Sequence, residues 1–362
     1  MSVRPDQREN HVLESLELAR RRPPTFTAEC LDMSHGAGGK ASHKLIEGLL
    51  LPALKNPTLD PLGDAAILPF GEARLALTTD AYVVRPLRFP GGSIGELAVN
   101  GTVNDLAVSG ATPIALAAAL IIEEGLETAI LRREIEAMAA AARRANVSIS
   151  TGDTKMVERG EGDGLYIITT GLCLANPELA LSATAVRPGD KILCSGTIGD
   201  HGIAILIARG NLDLEAEVSS DTRPLTPLTT ALAGAVGPDL RFMRDPTRCG
   251  VGTVLNELAR DSGLGVAIWE ERLPIREVVH GACEILGLDP LYIANEGKLL
   301  AVVAPEAADA ALDALRAVEG GEEAAIIGEI REEPARMVVM HTQFGGTRMI
   351  DMLVGDPLPR IC

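Results

Sequence analysis

Aromatic residues are scarce in this chain: Phe, Tyr and Trp make up 2% of its 362 positions. Its core must therefore be aliphatic, and it lacks the stacking platforms that hold single-stranded nucleic acids. Positive charge is short as well. With 33 Lys+Arg against 50 Asp+Glu the formal charge is -17, which argues against nucleic acid and against an anionic membrane surface as partners. An ATP site survives this test, because metal ions and backbone N–H groups neutralise a triphosphate locally. No apolar run is long enough for a bilayer: Ala111–Ile122, broken only by Thr112 and Pro113, falls short of the roughly 20 residues a spanning helix needs. The opening segment Met1–Asn10 is too polar for a secretory leader. Six cysteines, at 30, 173, 194, 249, 283 and 362, include no C-x-x-C pair, the usage of reduced thiols. These exclusions predict a cytoplasmic protein without membrane spans.

What the chain does have is 46% hydrophobic and 23% charged residues, enough to bury a core, over a length that fits two domains. Residues 1–30 read as an N-terminal extension with a short amphipathic helix over about Asn10–Arg21, stopped by Pro23-Pro24. From Leu31 onward strand and helix patterns alternate, so the fold class is α/β. Strands are expected over Arg74–Thr79, Val147–Thr151 and Leu165–Thr170. A capping box, Ser93-Ile-Gly-Glu96, opens a helix to about Val108, and Glu127–Arg144 carries apolar residues at helical spacing. Turn chemistry around Ala175–Pro188 separates this half from a second one. There, strands are expected at Lys191–Cys194, Lys298–Val303, Ala325–Ile330 and Met337–His341, with helices over Gly199–Arg209 and Gly250–Asp261. The expected division is 31–175, 185–344 and a tail over 345–362, in which Pro357 and Pro359 disfavour regular structure.

Four groups of residues could carry chemistry. His35-Gly-Ala-Gly-Gly-Lys40 precedes a helix, where glycines leave N–H groups open to phosphate. It lacks the spacing of a Walker loop, and a flexible turn explains it equally well. Asp64, Asp80, Asp105 and Asp245 sit at element ends or on the Ser93 helix, where α/β proteins gather ligands and where oxygen donors suit Mg²⁺. Each alone is more often a turn or capping residue. Asn100 and Asn104 share one face of that helix, which faces either a site or solvent. Lys155, after the Gly152-Asp153 turn, could sit over phosphates, and Glu296 before a glycine could be a general base; each could also be a surface charge. Finally, Cys362 ends a proline-stiffened tail and could act as a thiol carrier. Arg360 would favour its thiolate and the nearby α-carboxylate would oppose it. An incidental cysteine, a metal-holding thiol on a scaffold, and an enzyme phosphorylating a small diffusible molecule all remain open at this point.

Taken in order, Met33-Ser-His-Gly-Ala-Gly-Gly39, Phe89-Pro-Gly-Gly-Ser-Ile-Gly95, Val99-Asn-Gly-Thr-Val-Asn-Asp105, Gly152-Asp-Thr-Lys155, Gly199-Asp-His-Gly202, Met243-Arg-Asp-Pro-Thr-Arg248, Ala294-Asn-Glu-Gly297 and the closing Pro359-Arg-Ile-Cys362 resemble one family. It is the HypE carbamoyl dehydratases of [NiFe]-hydrogenase maturation, within the aminoimidazole ribonucleotide synthetase and selenophosphate synthetase superfamily. The resemblance spans about 31–362. It implies a two-domain aminoimidazole ribonucleotide synthetase-like α/β fold with a flexible C-terminal tail, a homodimer paired through the N-terminal domains, and ATP with Mg²⁺. It also implies carbamoylation of Cys362 by HypF, ATP-dependent dehydration to a thiocyanate, and transfer of cyanide to iron on a HypC–HypD complex. By position it assigns Lys155 and Glu296 to the dehydration and Asp64, Asp80, Asp105 and Asp245 to Mg²⁺–ATP. Gly36, Gly38, Gly39, Asn104, Gly152 and Asp153 fall on the nucleotide side. One departure is Cys249, where the family carries glycine; a side chain there is strained if the turn needs positive φ.

Overall fold

The computed structural model describes residues 25–210, 217–355, 357–358 and 360–362. The helix expected over Asn10–Arg21 lies outside them. The first half comprises α1 (Lys40–Leu45), β1 (Ala66–Phe70), β2 (Ala73–Tyr82), β3 (Arg88–Phe89), β4 (Gly92–Ser93), α2 (Ile94–Val108), β5 (Ala111–Glu123), α3 (Thr128–Arg144), β6 (Ser148–Val157) and β7 (Leu165–Ala175). Five strands form one sheet in the order β1-β2-β7-β5-β6, and β3 pairs with β4 as a separate ribbon. All neighbours in the five-stranded sheet are antiparallel except β5 and β6. Period-two alternation in β7 turns Leu165, Ile167, Thr169 and Cys173 inward.

The helix α2 lies against the inner face of this sheet, and it is buried along nearly its whole length. A helix buried on all sides needs small residues where neighbours approach; a Cβ on Gly95 would lie 2.2 Å from the Glu134 carbonyl oxygen. The capping box expected at its start is absent. Ser93 makes no cap bond; instead the Gly95 N–H donates to Glu134 at 3.3 Å, and Glu96 pairs with Arg144 at 2.9 Å. The helix still begins and ends where the sequence pattern places it, because burial rather than the cap holds it.

The second half comprises β8 (Lys191–Cys194), α4 (Asp200–Ala208), α5 (Thr226–Val236), β9 (Leu240–Arg244), α6 (Gly250–Ser262), β10 (Gly265–Trp269), α7 (Glu277–Leu286), β11 (Leu300–Val303), α8 (Ala308–Arg316), β12 (Ala325–Arg331), β13 (Val338–His341) and β14 (Thr347–Ile350). Its sheet runs β14-β13-β10-β12-β8-β11-β9, with β10 and β13 parallel. One aliphatic cluster joins the halves: Ile94, Leu97 and Val103 of α2 share it with Ile203, Ile205, Ile293, Leu358 and Ile361. Among the described residues no helix is long and apolar enough to cross a membrane.

The tail is more regular than its prolines suggested. β14 extends the sheet, and Leu353 and Val354 then accept hydrogen bonds from Lys40 and Ala41 at 2.7 and 3.0 Å. The last residues return to the first half, where Ile361 bridges Val84. The Val83 N–H donates to the Cys362 carbonyl at 2.9 Å, and Arg85 N–H to that of Arg360 at 3.2 Å.

Candidate active site

Four aspartates reach one place from four parts of the chain: Asp64 from the segment before β1, Asp80 from β2, Asp105 from α2 and Asp245 from the turn after β9. Oxygens of Asp64, Asp105 and Asp245 all lie within 4.8 Å of one another. With Asp80 they line a 440 Å³ cavity shared with Gly38, Ser42, Thr247, Arg248 and the residues just before β1. Thr78 donates to Asp105 at 2.9 Å. Burial, opposed by Arg244 and reinforced by Glu257 and Asp80, raises the Asp64 carboxyl to about 6. Burial and the neighbouring carboxylates push Asp105 and Asp245 well above the ordinary carboxylate value. Such a cluster is short of positive charge. Hard oxygen donors this close together, with their charges destabilised, fit a divalent cation such as Mg²⁺.

One wall of the cavity is a chain of alternating charge that sequence reasoning missed. Arg244 Nε pairs with Asp64 at 2.8 Å and its Nη1 with Glu257 at 3.0 Å. Glu257 then meets His43 Nε2 at 2.8 Å. Burial alone would lower His43, but its bonds to Glu257 and Glu47 prevail and raise it to about 9. No spacing rule connects positions 43, 244 and 257; only the tertiary packing of α1, the end of β9 and α6 brings them together.

Beside this cavity lies a second, of 40 Å³, lined by Asp80, Tyr82, Asp105, Asp245, Arg248, Glu296 and Cys362 among others. Glu296 is buried at 3% exposure, and its Oε1 has no hydrogen-bond partner among the described residues. Burial, with Asp221 and Asp245 adding repulsion, raises its carboxyl well above the ordinary value. Its backbone is held firmly. The N–H groups of Glu296 and Gly297 donate to the Asp221 carboxylate at 3.0 and 3.1 Å, and Asn104 Nδ2 donates to the Glu296 carbonyl at 3.2 Å.

The structure thus brings together Asp64, Asp80, Asp105, Asp245, Glu296, Cys362 and Gly38. It places the other candidates elsewhere. Asn104 is occupied: Nδ2 also donates to the Arg223 carbonyl at 3.0 Å, and Oδ1 accepts from the Leu225 N–H at 2.8 Å. Its amide anchors the 223–225 segment and the Glu296 turn. Gly39 abuts the Leu353 carbonyl, which would be 2.6 Å from an added Cβ, and the Gly36 carbonyl accepts from Arg248 at 3.2 Å; neither lines the large cavity. Gly152, Asp153 and Lys155 lie on β6, at the sheet edge. Lys155 is 71% exposed and pairs with Asp153 at 3.0 Å, away from both cavities within one copy of the chain. Arg360 turns from the thiol to Asp163, 2.9 Å away. Cys249 does adopt positive φ, +57°, and its buried thiol donates to the Ala37 carbonyl at 3.2 Å.

Two linked sheets with carboxylates between them define a class. Residues 62–175 match the N-terminal domain of AIR synthase related proteins, and residues 187–340 match the C-terminal domain. Within that class the chain belongs to the carbamoyl dehydratase HypE family. It is 52% identical over 332 residues to carbamoyl dehydratase HypE of Azotobacter vinelandii, covering 92% of this chain and 97% of that one. Its fold matches HypE in a HypE–HypF complex with TM-score 0.81 and 43% identity, over 85% of this chain and 99% of that one. It also matches a HypE in complex with ATP, with TM-score 0.77 and 47% identity, over 92% of this chain and the whole of the other.

Proposed function

We propose that this chain dehydrates a carbamoyl group, carried on the Cys362 thiol, to a thiocyanate at the expense of ATP, supplying cyanide for the iron centre of [NiFe]-hydrogenase. The observation that carries this reading is the shared cavity of Cys362 and Glu296, ringed by Asp80, Asp105 and Asp245. Relatives are carbamoyl dehydratases, and solved relatives are found with ATP and with HypF; HypF is accordingly the carbamoyl donor, and a HypC–HypD complex the cyanide acceptor, in a cytoplasmic setting.

The carbonyl oxygen of the thiocarbamate takes the γ-phosphoryl group of ATP. Breaking the C–O bond then releases phosphate, and loss of both N–H protons completes the C≡N bond. Asp64, Asp80, Asp105 and Asp245 would hold Mg²⁺, which supplies positive charge to phosphate oxygens and to the carboxylate cluster. Glu296, which lines the thiol's cavity and has an unpartnered oxygen, accepts an amide proton once that charge lets it ionise. Gly38, at the mouth of α1, lies on the phosphate side. The unit 31–175 carries ATP and the dimer contact, 185–344 the Glu296 turn, and 345–362 the thiol. In the homodimer, the exposed edge strand β6 with Ile149 and Met156 is the pairing surface, and Gly152, Asp153 and Lys155 act from a second copy, Lys155 stabilising developing oxygen charge.

Intact-protein mass spectrometry after incubation with HypF, carbamoyl phosphate and ATP tests the reading. The expected result is a carbamoyl adduct on Cys362 that becomes a cyano adduct only with ATP. Absence of any adduct on Cys362 overturns it. Glu296→Gln should load normally and dehydrate slowly; wild-type dehydration removes Glu296 from the mechanism.

A further inference from the structure

The Gly199-Asp-His-Gly202 motif carries a histidine with no part in the chemistry above. His201 is fully buried, at the start of α4, and both ring nitrogens are bonded. Nε2 lies 2.7 Å from the carbonyl oxygen of Ile361, the residue before the carrier cysteine. Nδ1 lies 2.8 Å from the Ser220 hydroxyl. A carbonyl only accepts, so Nε2 carries the proton and donates it; in the neutral ring Nδ1 then accepts from Ser220. Burial, which lowers the ring's pKa, keeps it in that form. Ser220 Oγ in turn accepts the Thr222 N–H at 3.1 Å, and the ring of Phe89 meets the imidazole edge-on at 5.5 Å.

Asp221 lies between those two residues, and it receives the N–H groups of Glu296 and Gly297. One three-residue segment, 220–222, therefore orients the imidazole that grips the tail and also anchors the backbone of the buried glutamate. The end of the tail is also held by backbone bonds from Val83 and Arg85, by the Arg209 guanidinium on the Arg360 carbonyl and by the Arg360–Asp163 pair. His201 thus reaches the carbonyl directly preceding Cys362.

We infer that His201 is a positioning residue: it clamps the Ile361 carbonyl and, through Ser220 and Asp221, registers the Cys362 thiol against Glu296. The inference rests on the proposed carrier role of Cys362, but its central test does not require turnover. Its consequence is a division of labour. Loading by HypF needs the tail undocked, dehydration needs it docked, and His201 acts only on the second.

The experiment is timed alkylation with iodoacetamide on the full chain, read by peptide mass spectrometry at Cys362 with exposed Cys30 as internal reference. His201→Ala should raise the Cys362 rate about tenfold, the value of one hydrogen bond, and leave Cys30 unchanged. His201→Gln, which can present an N–H near the position of Nε2, should restore much of the protection. Dehydration of the preloaded protein should slow in His201→Ala, while HypF loading and the ATP-induced rise in melting temperature are kept. If His201→Ala fails to fold, Ser220→Ala, which unpins the tautomer, should show a smaller rise in the same rate. A wild-type Cys362 rate in a folded His201→Ala protein, or in Ser220→Ala where only that variant folds, overturns the clamp. Failure of the carrier role would appear differently, as no carbamoyl adduct on the wild-type protein whatever the alkylation rates.

Discussion

Replacing Asn104 separates two accounts of the same residue. The family resemblance put it on the nucleotide side, whereas its amide bonds three backbone groups: the carbonyls of Arg223 and Glu296 and the N–H of Leu225. Asn104→Leu keeps the volume and removes all three bonds at a site 1% exposed. At about 1 kcal/mol net per bond the loss is about 3 kcal/mol. For a chain of this length that is roughly 4 °C in Tm, if it melts as one unit. The Glu296 turn loses an anchor, so ATP-dependent dehydration should fall about tenfold to a hundredfold. Binding of Mg²⁺–ATP should stay within about twofold of wild type, because the lost contacts face the protein. Differential scanning fluorimetry, isothermal titration calorimetry and the cyano-adduct assay read the three quantities. An unchanged Tm together with a tenfold or greater loss of ATP affinity would refute this account and return Asn104 to the phosphates.

The carboxylate cluster costs stability when no cation is present. Asp105→Asn should therefore raise Tm in chelator, by about 1–2 kcal/mol of relieved repulsion, and should abolish the Tm rise that Mg²⁺–ATP produces in the wild type; a lower Tm in chelator contradicts the repulsion. The raised value of His43, from 6.5 to about 9, links stability to pH. Its contribution, up to about 3 kcal/mol, is fully present below 6.5 and lost as pH rises through 9. Urea unfolding between pH 6 and 10 should show that decline, and His43→Gln should flatten it. At position 249, Cys249→Val forces a β-branched side chain into φ +57° and should cost about 2 kcal/mol or more. Cys249→Gly should melt within about 1 kcal/mol of wild type, since relieved strain offsets the lost thiol contact; equal melting of the Val variant would show that the turn relaxes.

Regular elements were readable because their cause is local or periodic. The expected boundaries of α2, α3, β8 and α6 fall within a residue or two of the observed ones. Where local chemistry and packing competed, packing prevailed: Ser93 is the capping residue of the sequence pattern, yet Glu134, from another helix, satisfies the Gly95 N–H. Pro357 and Pro359 argued for irregular structure from Gly345 on, yet the chain between Thr347 and Ile350 adds a strand, because an exposed sheet edge supplies partners that local propensity does not register.

By itself the sequence determined the aliphatic core, the alternation of strands and helices, and the identities of the aspartates, Glu296 and Cys362 as groups able to do chemistry, since composition and short spacings encode these directly. Only the tertiary structure decided which of them meet. It brought Cys362 to Glu296 across 66 positions of chain, put Lys155 on an exposed edge, gave Asn104 and Asp221 the task of holding Glu296, and set His201 against the tail. Such contacts between distant segments arise from how two sheets and one buried helix pack together, and no local pattern records them.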